Sequence, residues 1–149
     1  YTTGVVWKYV INICMSLERY KVEIHLLTMG KLLNEEQSEQ INHINNVHLY
    51  ESSYKLDWMC SSAEDFIAAK HWVASMYENI QPDLIQFNNY GQTMGIWKCP
   101  VITVYHFCVL TWWISMKDGQ PPVKWSKYIE AVRKAIRISD VNDSQSISM

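Results

Sequence analysis

Five β-branched and aromatic residues, Val101-Ile102-Thr103-Val104-Tyr105, run together and stop at His106. A short apolar run of this kind reads as a buried strand of a parallel sheet, covered on both faces. Its first polar residue sits at the carboxyl end of the strand, where open α/β sheets bind their ligands. A second strand, Leu84 to Asn88, reads the same way and ends in Asn88-Asn89. Two apolar strands with polar ends predict one shared crevice.

The rest of the chain alternates helix and strand. Val6, Val10, Ile13, Cys14 and Leu17 form a helical stripe from about Val5 to Arg19, entered through Thr2-Thr3-Gly4. Free N–H groups at such a helix start can face a phosphate or a sugar hydroxyl. Val22 to Thr28 reads as a strand, and Asn34 caps a polar helix reaching Ile44. Val47 to Tyr50 reads as a short peripheral strand. Asp57-Trp58 falls in a loop. Ser62 can cap a helix whose face carries Phe66, Ala69, Val73, Met76 and Ile80. Gly91 to Trp97 allows a short helix, and Phe107 to Met116 reads as helical. Asp118-Gly119 and Pro121-Pro122 form a turn. Trp125, Ile129, Val132 and Ile136 mark a helix from about Lys124 to Ile138. Its other face carries Lys124, Lys127, Arg133, Lys134 and Arg137, a solvated face or a surface for anionic lipid. Asp140 to Ser144 falls where a last strand belongs, although Val141 is its only apolar residue. The pattern is that of an α/β fold, a Rossmann-like doubly wound parallel sheet, in a single domain over residues 1–149.

Composition removes some functions. A net charge of -2 gives no global pull toward nucleic acid. No apolar run approaches a membrane span, and no signal peptide is visible, so a cytoplasmic location is expected. Cys14, Cys60, Cys99 and Cys108 are scattered and read as buried free thiols. His25, His43 and His48 share no metal-ligand spacing, and no metal or other cofactor is expected. Asn142-Asp143-Ser144 fits a glycosylation sequon, which carries little weight without a secretion signal.

Several fragments, in order, resemble the amino-terminal domain of family-four retaining glycosyltransferases of the two-domain GT-B architecture. Thr2 to Tyr9 is similar to the family's Gly-Gly-Val loop and first helix. Lys21 to Gly30 is similar to its second strand, and Leu56 to Met59 to a motif of one bacterial branch. Pro82 to Asn89 is similar to its Pro-Asp-Leu strand. Pro100 to Trp113 is the closest match, and Ile138 to Ser146 resembles the end of the domain.

The resemblance implies the acceptor-binding half of a glycosyltransferase of hexosyltransferase type. The full protein would move a sugar from a nucleotide-sugar donor to a sugar or glycolipid acceptor, with peripheral membrane contact. By position it implies His106 as the catalytic-site histidine, near the transferred sugar. Thr3, Gly4, Asn88 and Asn89 would line the acceptor and donor side. The chain departs from the family at Val5, which replaces the second loop glycine and adds a Cβ. It lacks the strand ahead of Thr2 and the nucleotide-binding domain, so it is expected to be a piece of such an enzyme and inactive alone. A missing strand should leave a defect in the sheet, or let its two neighbours pair directly. The alternative is a non-catalytic α/β binding or interaction module built on the same scaffold. An unrelated flavodoxin-like protein fits less well, because no G-x-G-x-x-G fingerprint or phosphate loop is present.

Overall fold

The computed structural model describes residues 4–56, 63–93, 95–106, 113–114, 116–117, 119 and 121–144. Thr3, the Asp57-Trp58 loop, the Ser62 cap, Cys60, Cys108 and most of the helix expected from Phe107 to Met116 lie outside the described residues.

The first helix, α1, spans Val5–Glu18. Gly4 precedes it with φ 102° and ψ -129°, a backbone that side chains disfavour and glycine adopts freely. Cys14 is buried on the inner stripe, and burial pushes its thiol up, away from ionisation. The strand β1, Ile24–Thr28, pairs in parallel with β2, Val47–Glu51. Between them lies α2, Glu35–Asn42. Asn34 accepts from the Gln37 N–H at 2.8 Å, and the Gln37 side chain accepts from the Asn34 N–H at 3.1 Å. This capping box satisfies two donors that the helix itself cannot. Asn34→Ala is therefore expected to cost about 1 kcal/mol, read as a lower urea midpoint, while Asn34→Asp should retain most of it.

The helix α3 spans Ala63–Ile80. It turns Ala69 fully inward, with Phe66, Val73, Met76 and Ile80 half-buried on the expected face. The strand β3 is Ile85–Phe87, β4 is Val101–Tyr105 and β5 is Val141–Ser144. They form a second parallel sheet, ordered β3-β4-β5. The helix α4, Ser126–Ile138, follows a single 3₁₀ turn at Val123–Trp125, so it starts two residues later than the periodicity suggests. It packs Val132 and Ala135 against Tyr90, which stacks on Tyr105 at 4.7 Å.

Two elements need more than local pattern to explain them. The region Gly91 to Trp97 holds only a 3₁₀ turn, Gly91–Thr93, before the Trp97 ring folds back over Gly95. A Cβ on Gly95 would lie 2.3 Å from that ring, so the turn closes only around glycine. The end of the chain keeps its strand despite the lost apolar pattern. Asp140 explains this: its carboxylate accepts the Val101 N–H at 2.8 Å, and its own N–H donates to the Val101 carbonyl at 2.9 Å. Asn142 accepts from the Tyr105 hydroxyl and donates to the Ile136 carbonyl at 3.1 Å. Polar side chains anchor β5 where apolar ones would otherwise do so.

The fold is thus a small α/β domain with alternating helices and two parallel sheets. Among the described residues the sheets do not pair with one another. β1 and β3 are the strands expected to flank a missing first strand, and each has a neighbour on one side only among the described residues. β4, flanked on both sides, buries Val101, Thr103 and Val104, whereas Thr28 is the only buried residue of β1.

Candidate functional site

β3 and β4 run in register, Ile85 opposite Val101 and Phe87 opposite Thr103. Their next residues therefore emerge at the same end of the sheet. There the His106 Nε2 lies 2.9 Å from the Asn88 Oδ1. With that oxygen as acceptor, Nε2 carries the proton. Gln86, on the same face of β3 as Asn88, donates from Nε2 to the Asn88 Oδ1 and to the Tyr9 hydroxyl, each at 3.4 Å. The Tyr9 ring stands edge-on to the His106 ring, with centroids 4.6 Å apart. Three elements, α1, β3 and β4, thus meet in a Tyr9–Gln86–Asn88–His106 network.

Burial pushes the Tyr9 phenol above its usual range. The Gln86 bond offsets this in part, and the Asp143 carboxylate at the end of β5 adds to it. Tyr9 therefore stays protonated at neutral pH and can both donate and accept. The network offers hydroxyl, amide and imidazole groups, whose donors and acceptors suit hydroxyl recognition.

The structure brings His106 and Asn88 together and leaves Asn89 in a different role. The Asn89 side chain accepts the Gln92 N–H at 3.3 Å, and its carbonyl accepts the Thr93 hydroxyl at 3.2 Å. It shapes the 3₁₀ turn after β3. Gly4 lies one helical turn ahead of Lys8, whose N–H it accepts at 3.1 Å, at the end of α1 nearest His106. A Cβ there would meet nothing within 4 Å among the described residues. Tyr9 and Gln86 escaped the sequence reading. Gln86 carries a weak signal, as the one polar residue inside an apolar strand; Tyr9 carries none, because only tertiary packing brings it to the strand ends.

Elsewhere, His25 and His48 are opposite one another in the β1–β2 register, and their rings stack at 4.9 Å. Both Nε2 atoms approach the Glu23 carboxylate, at 3.4 and 3.0 Å. Their separation in sequence concealed this contact. Among the described residues, no group of three or more His, Cys, Asp or Glu side chains could hold a metal ion.

A concavity of about 510 Å³ lies at the amino end of β4, between residues 95–101 and Ile138 with Asp140. It is far along the strands from His106. The carboxyl ends are the physically preferred location for ligands in parallel sheets, and there the convergent polar side chains are found. No family model, curated protein or solved structure matches the chain.

Proposed function

We propose that this chain is the acceptor-binding half of a glycosyltransferase of the family-four GT-B type. The full enzyme transfers a sugar from a nucleotide-sugar donor to a sugar or glycolipid acceptor. One observation carries the reading: the contact between His106 and Asn88 at the carboxyl ends of adjacent parallel strands. The ordered sequence fragments around those same residues support it.

The chemistry is consistent with that role. Glycosyl transfer develops positive charge on the sugar and negative charge on the leaving phosphate. His106 and Asn88 can hold sugar hydroxyls through their ring nitrogen and amide groups. The N-terminus of α1, which begins after Gly4, favours an anion in front of it. The exposed Arg133, Lys134 and Arg137 of α4, beside the exposed Ile136, suit an anionic lipid surface that carries a glycolipid acceptor. The donor's nucleotide contacts belong to a second domain, so the 149-residue chain transfers no sugar by itself.

The direct test is a titration of the isotope-labelled chain with monosaccharides and glycolipid head groups, followed by NMR. Shifts are expected at the side-chain amides of Asn88 and Gln86 and at the His106 ring. A folded chain whose Asn88 and His106 signals stay fixed with every sugar would overturn the acceptor-site assignment.

A further inference from the structure

The protons at the strand ends can be followed one by one. The Gln86 Nε2 directs its protons to the Tyr9 hydroxyl and to the Asn88 Oδ1, each at 3.4 Å. The Asn88 Oδ1 also accepts from the His106 Nε2 at 2.9 Å, which occupies both of its lone pairs. An amide whose oxygen is held in this way turns its nitrogen elsewhere. Among the described residues, neither the Asn88 Nδ2 nor the Tyr9 hydroxyl donates to any group. Both residues are half-buried, so solvent reaches them.

Gln86 thereby sets the polarity of the site. Its amide turns the nitrogen toward Tyr9 and Asn88, and so turns the oxygen away from the interval between them. A group entering that interval meets two donors, the Tyr9 O–H and an Asn88 N–H. A hydroxyl there would leave its own proton without a partner, which weakens binding. A carbonyl oxygen has lone pairs for both donors and no proton to place. A carboxylate has the lone pairs too, but it would face the Asp143 charge. Burial first, and the Asp143 carboxylate to a lesser degree, push the Tyr9 phenol up, so that charge acts on the site and Tyr9 keeps its proton.

We infer that Tyr9 and Asn88 clamp a neutral carbonyl oxygen, and that the sugar bound here is an N-acetylated amino sugar. The inference rests on the acceptor-site reading above and adds the substituent that the site selects. An acetamido group supplies such an oxygen on a short arm, which leaves the ring hydroxyls for His106. Gln86 is then a positioning residue. It sets the direction in which Tyr9 and Asn88 present their protons.

The test measures dissociation constants by NMR titration of the labelled chain with two probes, N-acetylglucosamine and glucose, which differ in a single substituent. The parent is expected to bind the first about tenfold or more tightly, because a site built for a hydrogen-bonding group rejects the analogue that lacks it. Tyr9→Phe keeps the ring against His106 and removes one donor. Gln86→Glu keeps the shape and replaces the donor with an acceptor, which draws the Tyr9 and Asn88 protons inward. Each variant is expected to bring the ratio of the two constants close to one. Equal constants in the parent overturn the carbonyl assignment and leave the acceptor site standing. A preference that survives Tyr9→Phe overturns the clamp, whether or not Gln86→Glu folds. A folded parent that binds neither probe overturns the acceptor-site reading and this inference with it.

Discussion

Val104→Asp is expected to abolish the cooperative unfolding transition of the domain. Val104 is 2% exposed in the middle of the only described strand with a neighbour on each side. A carboxylate there meets a like charge, since its register neighbour on β5 is Asp143. Leaving a charge buried and uncompensated costs about 3–5 kcal/mol. A domain of this size has only about 5–15 kcal/mol in total, and two sheets with open edges place it toward the low end. Far-ultraviolet circular dichroism against temperature reads the result directly. Val104→Ala is the milder comparison, expected to cost about 2 kcal/mol through the two methyl groups removed and the space they leave. A Val104→Asp chain that melts like the parent would mean that β4 is not the centre of the core.

The second large effect concerns His106. On the proposed glycosyltransferase reading, His106→Ala in an enzyme that joins this chain to a nucleotide-binding domain is expected to cut turnover about 10²-fold, the usual effect of removing one hydrogen bond to the transition state. The melting temperature should barely move. His106 is half-buried, and its removal leaves the Asn88 amide bonded to Gln86 and accessible to water. Steady-state kinetics and a thermal melt on the same preparation separate the possibilities. A drop of several degrees with turnover per folded molecule preserved would make His106 a packing residue, held by Tyr9 and Asn88 for stability alone.

Much of this architecture is legible in the residues. The run Val101–Tyr105 coincides with β4 to the residue, because β-branched side chains between two turns leave little alternative. The parallel pairing of β3 with β4 follows from the same apolar character, and Asn34 announces the start of α2 by its capping chemistry.

Other features are hidden because they depend on partners distant in the chain. Asp140 and Asn142 replace the apolar pattern of β5 with hydrogen bonds to residues about forty positions away, and no local periodicity reports that. Leu84 reads as strand but is left exposed outside it, because Pro82 and Asp83 delay the entry into β3. At the site, the strand ends place His106 and Asn88 correctly side by side. The local bonding of Asn89 emerges only once the turn after β3 is built.

The polar character of β5 has a consequence for how this sheet can grow. Asn142 and Asp143 are exposed on an edge whose outer backbone groups would otherwise invite another chain, and a charge on such an edge repels its own copies. The opposite edge, at β3, has no such guard, for Ile85 and Phe87 are apolar and half-buried or buried. The three-stranded sheet is therefore one-sided toward additional strands: it is closed to self-association along β5 and receptive along β3. Molecules of this protein that stick together under stress should do so through the unguarded edge.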